Sequence, residues 1–253
     1  NEAGISLNIV AELSKQFPVK QGNSNIWNPS IYRDSNLHID PNIGNTIEFW
    51  CKIDGSLSDT IYPLVIGNKD GKIMQASIKS DNRTFSFGYS DQNGGGSSRI
   101  NVATNEGKDI LENDWNHYSF TFINKDSQLE IEVRKNTNII VSYVGKTSLG
   151  VVSQESLYAI LNGTANDISD PIASSYNGIY YDEFRFWKQK RTAEEIGRYW
   201  NTNIHGGTNT DDDKYSEENR NVDIGIYYKF NEGITGDDTI DATVLDYSGG
   251  ISN

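Results

Sequence analysis

The side chains that could do chemistry in this 253-residue sequence are few and widely spaced. The three histidines, His38, His117 and His205, are scattered along the chain, and no Gly-x-Ser-x-Gly motif is present to hold a serine nucleophile. Glu130 and Glu132 place two carboxylates two residues apart, and paired carboxylates are what glycoside hydrolysis requires. Apolar residues alternate with these glutamates, which favours a solvent-facing strand at a sheet edge. We therefore predict no catalytic site, and we expect His117 to be structural.

Asp182 is the candidate metal ligand. Phe184 and Phe186 follow it at alternate positions, so in a strand its carboxylate is expected to face inward or lie at the edge of the core. A buried carboxylate needs hydrogen-bond donors or a cation. Two alternatives follow: either backbone N–H groups or an arginine hold Asp182, or the carboxylate binds a metal ion.

Four tryptophans, Trp50, Trp115, Trp187 and Trp200, leave two interpretations open. Their flat rings could form a platform on which a sugar stacks, or they could pack in the core and at its rim. Packing is the interpretation that we favour from the sequence.

The composition excludes several partners. The formal net charge is −13 and the sequence pI is about 4.6, so the chain repels nucleic acid and anionic membrane surfaces. No apolar run approaches the roughly 20 residues that span a bilayer, so we expect no membrane insertion. The single cysteine, Cys51, cannot form an internal disulfide and is expected in the core. The termini at Asn1 and Asn253 suggest a segment of a longer protein.

Alternating apolar and polar residues predict that the chain is mostly β-strand. Thr192 with Glu195 forms a capping box, which predicts one short peripheral helix near residues 192–203. About a dozen short strands with one helix indicate an all-β fold, an antiparallel β-sandwich of the jelly-roll type. Six aromatic residues are predicted to share its core: Phe49, Tyr118, Phe120, Phe184, Phe186 and Phe230.

Four motifs carry a resemblance to a known family. They are Tyr181–Trp187 with Arg191–Ile196, Thr46–Trp50, Asn113–Tyr118, and Tyr227–Gly233 with Asp246–Gly249. Together they resemble the strand and helix signatures of laminin-G-like, concanavalin A-like lectin domains. The resemblance implies the jelly-roll sandwich, and because many members hold calcium with carboxylates at a sheet rim, it makes Asp182 a calcium candidate. It implies no other cofactor.

One departure from the family concerns the end of the chain. The Phe-Asn-Glu-Gly strand, which usually opens such a domain, lies here at Phe230–Gly233. Residues 224–253 are therefore either a closing permuted strand or the start of a truncated following repeat. We predict one domain over residues 1–253, with the 224–230 strand beside the strand of residues 181–187.

This fold serves many functions, so the fold alone does not select one. The resemblance, the lack of a catalytic motif and the termini together favour a non-enzymatic structural or adhesion module of a larger surface assembly. Tailed-bacteriophage virion proteins carry such modules in arrays, so we expect other virion subunits as partners and a virion or extracellular surface location. The alternative is a carbohydrate-binding lectin domain with a glycan partner. A glycan hydrolase or lyase is the least favoured, since the Glu-x-Asp-x-x-Glu motif of sandwich glycosidases is absent.

Overall fold

Alternation of apolar and polar residues produces eleven strands in the computed structural model, which describes residues 39–58, 60–68, 71–91, 96–145, 158–160, 179–201 and 224–230. The strands are β1 Asn45–Ile53, β2 Ile61–Asn68, β3 Gly71–Ile78, β4 Thr84–Asp91, β5 Gly96–Ala103, β6 Asn116–Lys125, β7 Gln128–Lys135, β8 Asn138–Gly145, β9 Tyr158–Ile160, β10 Ile179–Trp187 and β11 Ile224–Tyr228. The helix α1 spans Ala193–Tyr199, and a 3-10 turn covers Asn105–Gly107.

The strands form two antiparallel sheets. The first contains six strands in the order β11-β10-β1-β6-β7-β8, and the second contains five in the order β5-β4-β3-β2-β9. Every pairing within them is antiparallel. The predicted antiparallel jelly-roll sandwich is confirmed.

The core lies between the two sheets. In β1 the alternate residues Phe49 and Cys51 are fully buried, and the Phe49 ring stacks on Phe184 with centroids 6.2 Å apart. Phe85 of the second sheet meets Phe120 of the first at 5.1 Å, so side chains of the two layers interdigitate. All six aromatic residues predicted to share a core do so, and Cys51 is a core residue as expected.

Two tight turns fix the register of β6, β7 and β8. Asp126 and Ser127 join β6 to β7, and Asn136 and Thr137 join β7 to β8, all four with positive φ. Positive φ at both central residues is the mark of the type I′ turn, whose twist matches that of paired strands. Here the geometry is reached without glycine.

The helix α1 begins where the capping box predicts. The Thr192 hydroxyl accepts a hydrogen bond from the Glu195 amide, and the Glu195 carboxylate accepts one from the Thr192 amide. The helix ends at Tyr199, before the expected residue 203, with Trp200 as its C-cap. Within the described residues no helix has the length and apolar character that a membrane crossing requires.

The strand β11 pairs antiparallel with β10, with Phe184 opposite Tyr228 and Phe186 opposite Ile226. This is the pairing that the closing-strand alternative predicts. Residues 231–253 lie outside the described residues, and the assignment of 1–253 to one domain stays a prediction. In the second sheet, β4 continues to Asp91 and β5 begins at Gly96, and these two residues pair with each other.

Candidate functional site

The outer face of the six-stranded sheet, the face turned away from the core, carries polar side chains that are nevertheless buried. Glu48 alternates with the core residue Phe49 and lies opposite Ser119 of β6 and Arg185 of β10. All three polar residues are at most 1% exposed. Alternation alone would place them in water, so further chain must cover this face.

Glu48 is the centre of a buried ionic cluster. Its carboxylate lies 3.8 Å from Arg185 Nη1, 3.5 Å from Arg191 Nε and 3.6 Å from His117 Nε2. Arg191 extends over the face of the Trp187 ring, 3.8 Å from its centroid. The cluster therefore joins β1, β6, β10 and the segment that leads into α1.

Charge rather than hydrogen bonding holds this cluster together. Neither oxygen of Glu48 makes a hydrogen bond to another described residue, and neither does His117 Nδ1. A buried carboxylate is costly to desolvate, so the nearby guanidinium groups must compensate it by charge attraction. His117 is structural, as predicted, and its ring contacts Trp50 edge-to-face at 5.8 Å.

A pocket opens on the outer face beside the ionic cluster. Its volume is about 310 Å³, within the range of small-molecule sites. Three tryptophans, two carboxylates, an arginine and an asparagine line it: Trp50, Trp115, Trp200, Asp182, Glu183, Arg185 and Asn201.

The aromatic wall of the pocket is held rigidly. The rings of Trp50 and Trp200 stack with centroids 5.4 Å apart and planes 16° from parallel. Trp50 Nε1 donates a hydrogen bond to the carbonyl oxygen of Trp200 at 2.9 Å. This bond ties the Trp50 side chain of β1 to the backbone at the end of α1, and the stacking contact packs the Trp200 ring against it.

A β-bulge at Glu183 determines where Asp182 points. Glu183 has φ +51°, and the register between β1 and β10 shifts at this residue. On one side of the shift Trp50 is paired with Asp182, and on the other side Glu48 is paired with Arg185. The extra residue in β10 changes which side of the sheet the side chains before it point to, relative to those after it. Asp182 is half-buried and lines the pocket, on the face opposite Phe184. Asp182 is therefore out of phase with Phe184 and Phe186, and the prediction that its carboxylate faces inward or lies at the edge of the core was wrong.

Two polar residues of the lining, Glu183 and Arg185, are hydrogen-bonded to each other, and Glu183 also bonds to the buried Tyr227 behind them. Glu183 Oε2 accepts hydrogen bonds from Arg185 at 2.8 Å and from the Tyr227 hydroxyl at 2.5 Å. The Arg185 guanidinium lies over the Tyr227 ring, 5.1 Å from its centroid. Burial lowers the pKa of Arg185, but the charge of Glu48, together with the hydrogen bond and the charge of Glu183, outweighs this effect and raises that pKa above its usual value. Arg185 therefore remains a cation.

Calcium at Asp182 stays a prediction. Asp182 Oδ1 accepts a hydrogen bond from the Glu183 amide at 2.9 Å, which is one form of the hydrogen-bonded alternative. Calcium takes six to eight oxygen ligands. In the described ranges no group of three or more His, Cys, Asp or Glu side chains is placed to hold a metal, so these residues alone fit calcium poorly.

The four tryptophans divide between the two interpretations of the sequence. Trp187 is 1% exposed and packs with Ile224 and Tyr227, as the packing interpretation predicts. Trp50, Trp115 and Trp200 are half-buried and line one pocket, the arrangement that the stacking interpretation requires. Trp50 and Trp200 lie 150 residues apart, so no sequence spacing could show that they meet.

The other candidate residues lie apart from the pocket. Glu130 forms ion pairs with Lys125 and Lys190, and Glu132 pairs with Arg134 at 3.0 Å. The strand β7 that carries both glutamates lies between β6 and β8, so the prediction of a sheet-edge strand was wrong. His38 and His205 lie outside the described residues.

Comparison with known families shows which family the chain belongs to. The family model of the concanavalin A-like lectin/glucanases superfamily matches residues 30–197, more than half of the chain. The chain belongs to this superfamily. Residues 30–197 of this concanavalin A-like chain include β1 to β10 and the beginning of α1.

Solved structures share the fold of this concanavalin A-like chain at low sequence identity. A protein from Bacteroides ovatus, provisionally described as carbohydrate-binding, is 17% identical with a TM-score of 0.50 over 82% of this chain. The aligned region covers 50% of the Bacteroides protein, so this chain spans half its length.

Two further structures are more distant. The sialidase carbohydrate-binding module of Ruminococcus gnavus, solved with α2,3-sialyllactose, is 12% identical over 63% of this chain and 83% of its own, with a TM-score of 0.45. A heptameric SAP-like pentraxin from Limulus polyphemus is 15% identical over 62% and 69%, with a TM-score of 0.44. No curated protein sequence matches this concanavalin A-like chain.

Proposed function

We propose that this chain is a non-enzymatic adhesion module that binds carbohydrate in the tryptophan pocket, the pocket lined by Trp50, Trp115 and Trp200. The observation that carries the proposal is the combination of half-buried indole rings with carboxylate groups in one pocket of about 310 Å³. A sugar ring has apolar C–H faces that pack on indole, and its hydroxyls donate hydrogen bonds to carboxylate oxygens. The rigid Trp50–Trp200 stack provides such a surface without first having to be ordered.

The carboxylates of the site support binding rather than hydrolysis. Glycoside hydrolysis requires two carboxyl groups on either side of the scissile bond. Asp182 and Glu183 are adjacent on one strand, and Glu183 already accepts two hydrogen bonds from Arg185 and Tyr227. Glu48 lies on the outer face but is fully buried there, so its carboxylate cannot reach a substrate. Because the superfamily includes glucanases, hydrolysis is the alternative that the assay must test.

The proposed setting is a larger surface assembly, namely a tailed-bacteriophage virion. Its support is the resemblance of the four sequence motifs to modules that occur in arrays in such virion proteins. In that setting the module would attach the assembly to a glycan-coated surface. Antibody labelling of intact particles tests the setting, because a virion module would be detected on their surface.

Binding to a glycan array tests the proposed function. We expect the chain to bind a subset of oligosaccharides, and Trp200→Ala to weaken that binding at least tenfold, or about 1.4 kcal/mol. Tyr62→Ala is the matched control, because it removes a half-buried aromatic ring from β2 in the other sheet. Circular dichroism confirms that both variants are folded.

Two results would contradict the proposal. Loss of binding in Tyr62→Ala equal to that in Trp200→Ala would show that the pocket is not the site. Release of reducing sugar from a bound oligosaccharide would show that the module is an enzyme.

A further inference from the structure

The charge of the tryptophan pocket limits the sugars that it can accept, an inference that rests on the proposed function. Three charged residues line the pocket, namely Asp182, Glu183 and Arg185. Two are anions and one is a cation, so the lining carries one net negative charge. The whole chain, with these residues included, has a formal net charge of −13.

Arg185, the one cation among the described residues of the lining, is already compensated. Arg185 donates to Glu183 at 2.8 Å and lies 3.8 Å from the Glu48 carboxylate. It is 1% exposed and lies over the Tyr227 ring. A carboxylate on a ligand would have to compete with two protein carboxylates that are fixed by the strands, so Arg185 cannot serve as its receptor.

Asp182 contributes a negative charge to the pocket lining. The bulge at Glu183 turns Asp182 into the pocket beside Trp50, and the side chain is half-buried. Reduced access to water weakens the screening of charges, so a ligand anion close to Asp182 would be repelled more strongly than at an open surface. Hydroxyl groups, in contrast, are good donors to a carboxylate.

Lys52 is the feature of this region that favours the opposite outcome. Its ammonium group lies 5.2 Å from the centroid of the Trp115 ring and 5.1 Å from that of Tyr180. Two aromatic faces thus hold the ammonium group by cation–π attraction. Lys52 is not in the pocket lining, so it would have to leave both rings to meet an anion there.

We propose that the pocket selects uncharged, hydroxyl-rich sugars and rejects sugars that carry a carboxylate. Asp182 determines this specificity by accepting hydrogen bonds from sugar hydroxyls and by repelling sugar carboxylates. The tryptophan rings provide the stacking surface for either class, so discrimination depends on charge alone.

Matched pairs of oligosaccharides test this selection. The probes are maltotriose, cellotriose, N,N′,N″-triacetylchitotriose and lactose, each compared with the form in which the C6 hydroxymethyl group of the terminal sugar is oxidised to a carboxylate. Binding to the whole chain is measured by calorimetry in a buffer with chelator, at low and high salt. We expect the neutral member of each bound pair to bind at least tenfold more tightly. High salt should narrow the difference, because salt screens charges.

The variant Asp182→Asn should reduce this discrimination several-fold. The control Asp109→Asn removes the same charge from an exposed carboxylate that pairs with Arg83 outside the pocket, and it should leave discrimination unchanged. Equal effects of the two variants would show that only the net charge of the chain matters.

Other outcomes separate the two proposals. The oxidised sugars could bind as tightly as the neutral sugars, or more tightly, and Trp200→Ala could abolish that binding. This result would overturn charge selection, but the pocket would remain the binding site. If Lys52→Met abolished that binding, the lysine would be the anion receptor. Absence of binding to every probe and its oxidised form, or binding that Trp200→Ala does not change, would overturn both proposals.

Discussion

Replacing Glu48 with glutamine should strongly destabilise the fold. The Glu48 side chain is 1% exposed, and two guanidinium groups and an imidazole lie 3.5 to 3.8 Å from its carboxylate. Removing one partner of a buried ionic group costs about 3–5 kcal/mol, because the remaining charges stay buried. Arg185 keeps its 2.8 Å contact with Glu183 in the variant. We therefore expect the free energy of unfolding to fall by about 3 kcal/mol, the lower end of this range.

The variant Glu132→Gln is the matched control for Glu48→Gln. Glu132 lies on the outer face of the same sheet and pairs with Arg134 at 3.0 Å, but its side chain is 28% exposed. Such a pair contributes about 0–1 kcal/mol. Urea unfolding followed by tryptophan fluorescence measures the free energy of unfolding of each variant. A difference between the two variants below about 1 kcal/mol would refute the argument that charge compensation holds the outer face together.

Four further predictions concern the core, a turn, calcium and the end of the chain. Phe49→Ala should lower the free energy of unfolding by about 3–5 kcal/mol, measured in urea, because the ring is fully buried. Gly44→Ala should lower the melting temperature, since φ is +82° and a Cβ atom would lie 2.6 Å from the Phe122 carbonyl oxygen. If Asp182 binds calcium, EDTA should lower the melting temperature and Asp182→Asn should abolish that sensitivity; an unchanged melt on chelation leaves only hydrogen bonding. Deleting residues 223–253 should weaken and broaden the melt, and an undiminished cooperative melt would contradict the closing-strand hypothesis.

The core could be predicted from the sequence because its signals are local. Alternation in β1 identifies Phe49 and Cys51 as inward residues, and the pair Thr192 and Glu195 identifies the start of α1. Each of these signals lies within a few residues of chain. The sandwich then follows, since apolar faces of two sheets must be buried against each other.

The pocket could not be predicted, because its determinants are not local. The bulge at Glu183 has no glycine to indicate it, and without the bulge Asp182 would be assigned to the wrong face. The ionic cluster joins Glu48 to Arg185 and Arg191, far along the chain, and a polar residue in an alternating strand is ordinarily taken to face water. The tryptophans gave a partial signal, since their number suggested stacking but their positions did not show which three meet.

The order of strands in the larger sheet has a consequence for how the chain folds during synthesis. The strand β1 pairs with β6 on one side and with β10 on the other. The side chain of Asn45 in β1 donates a hydrogen bond to the carbonyl oxygen of Trp187 in β10, 142 positions further along the chain. Contacts so distant in sequence form slowly, because a long loop must close before they stabilise anything. While the ribosome is still making the chain between them, β1 has one unpaired edge and part of its aromatic face lacks its final partners. The hairpins β6–β7 and β7–β8, closed by two-residue turns, can form early. We therefore expect a nascent chain that stalls before β10 to depend on chaperones and to aggregate through the open edge of β1.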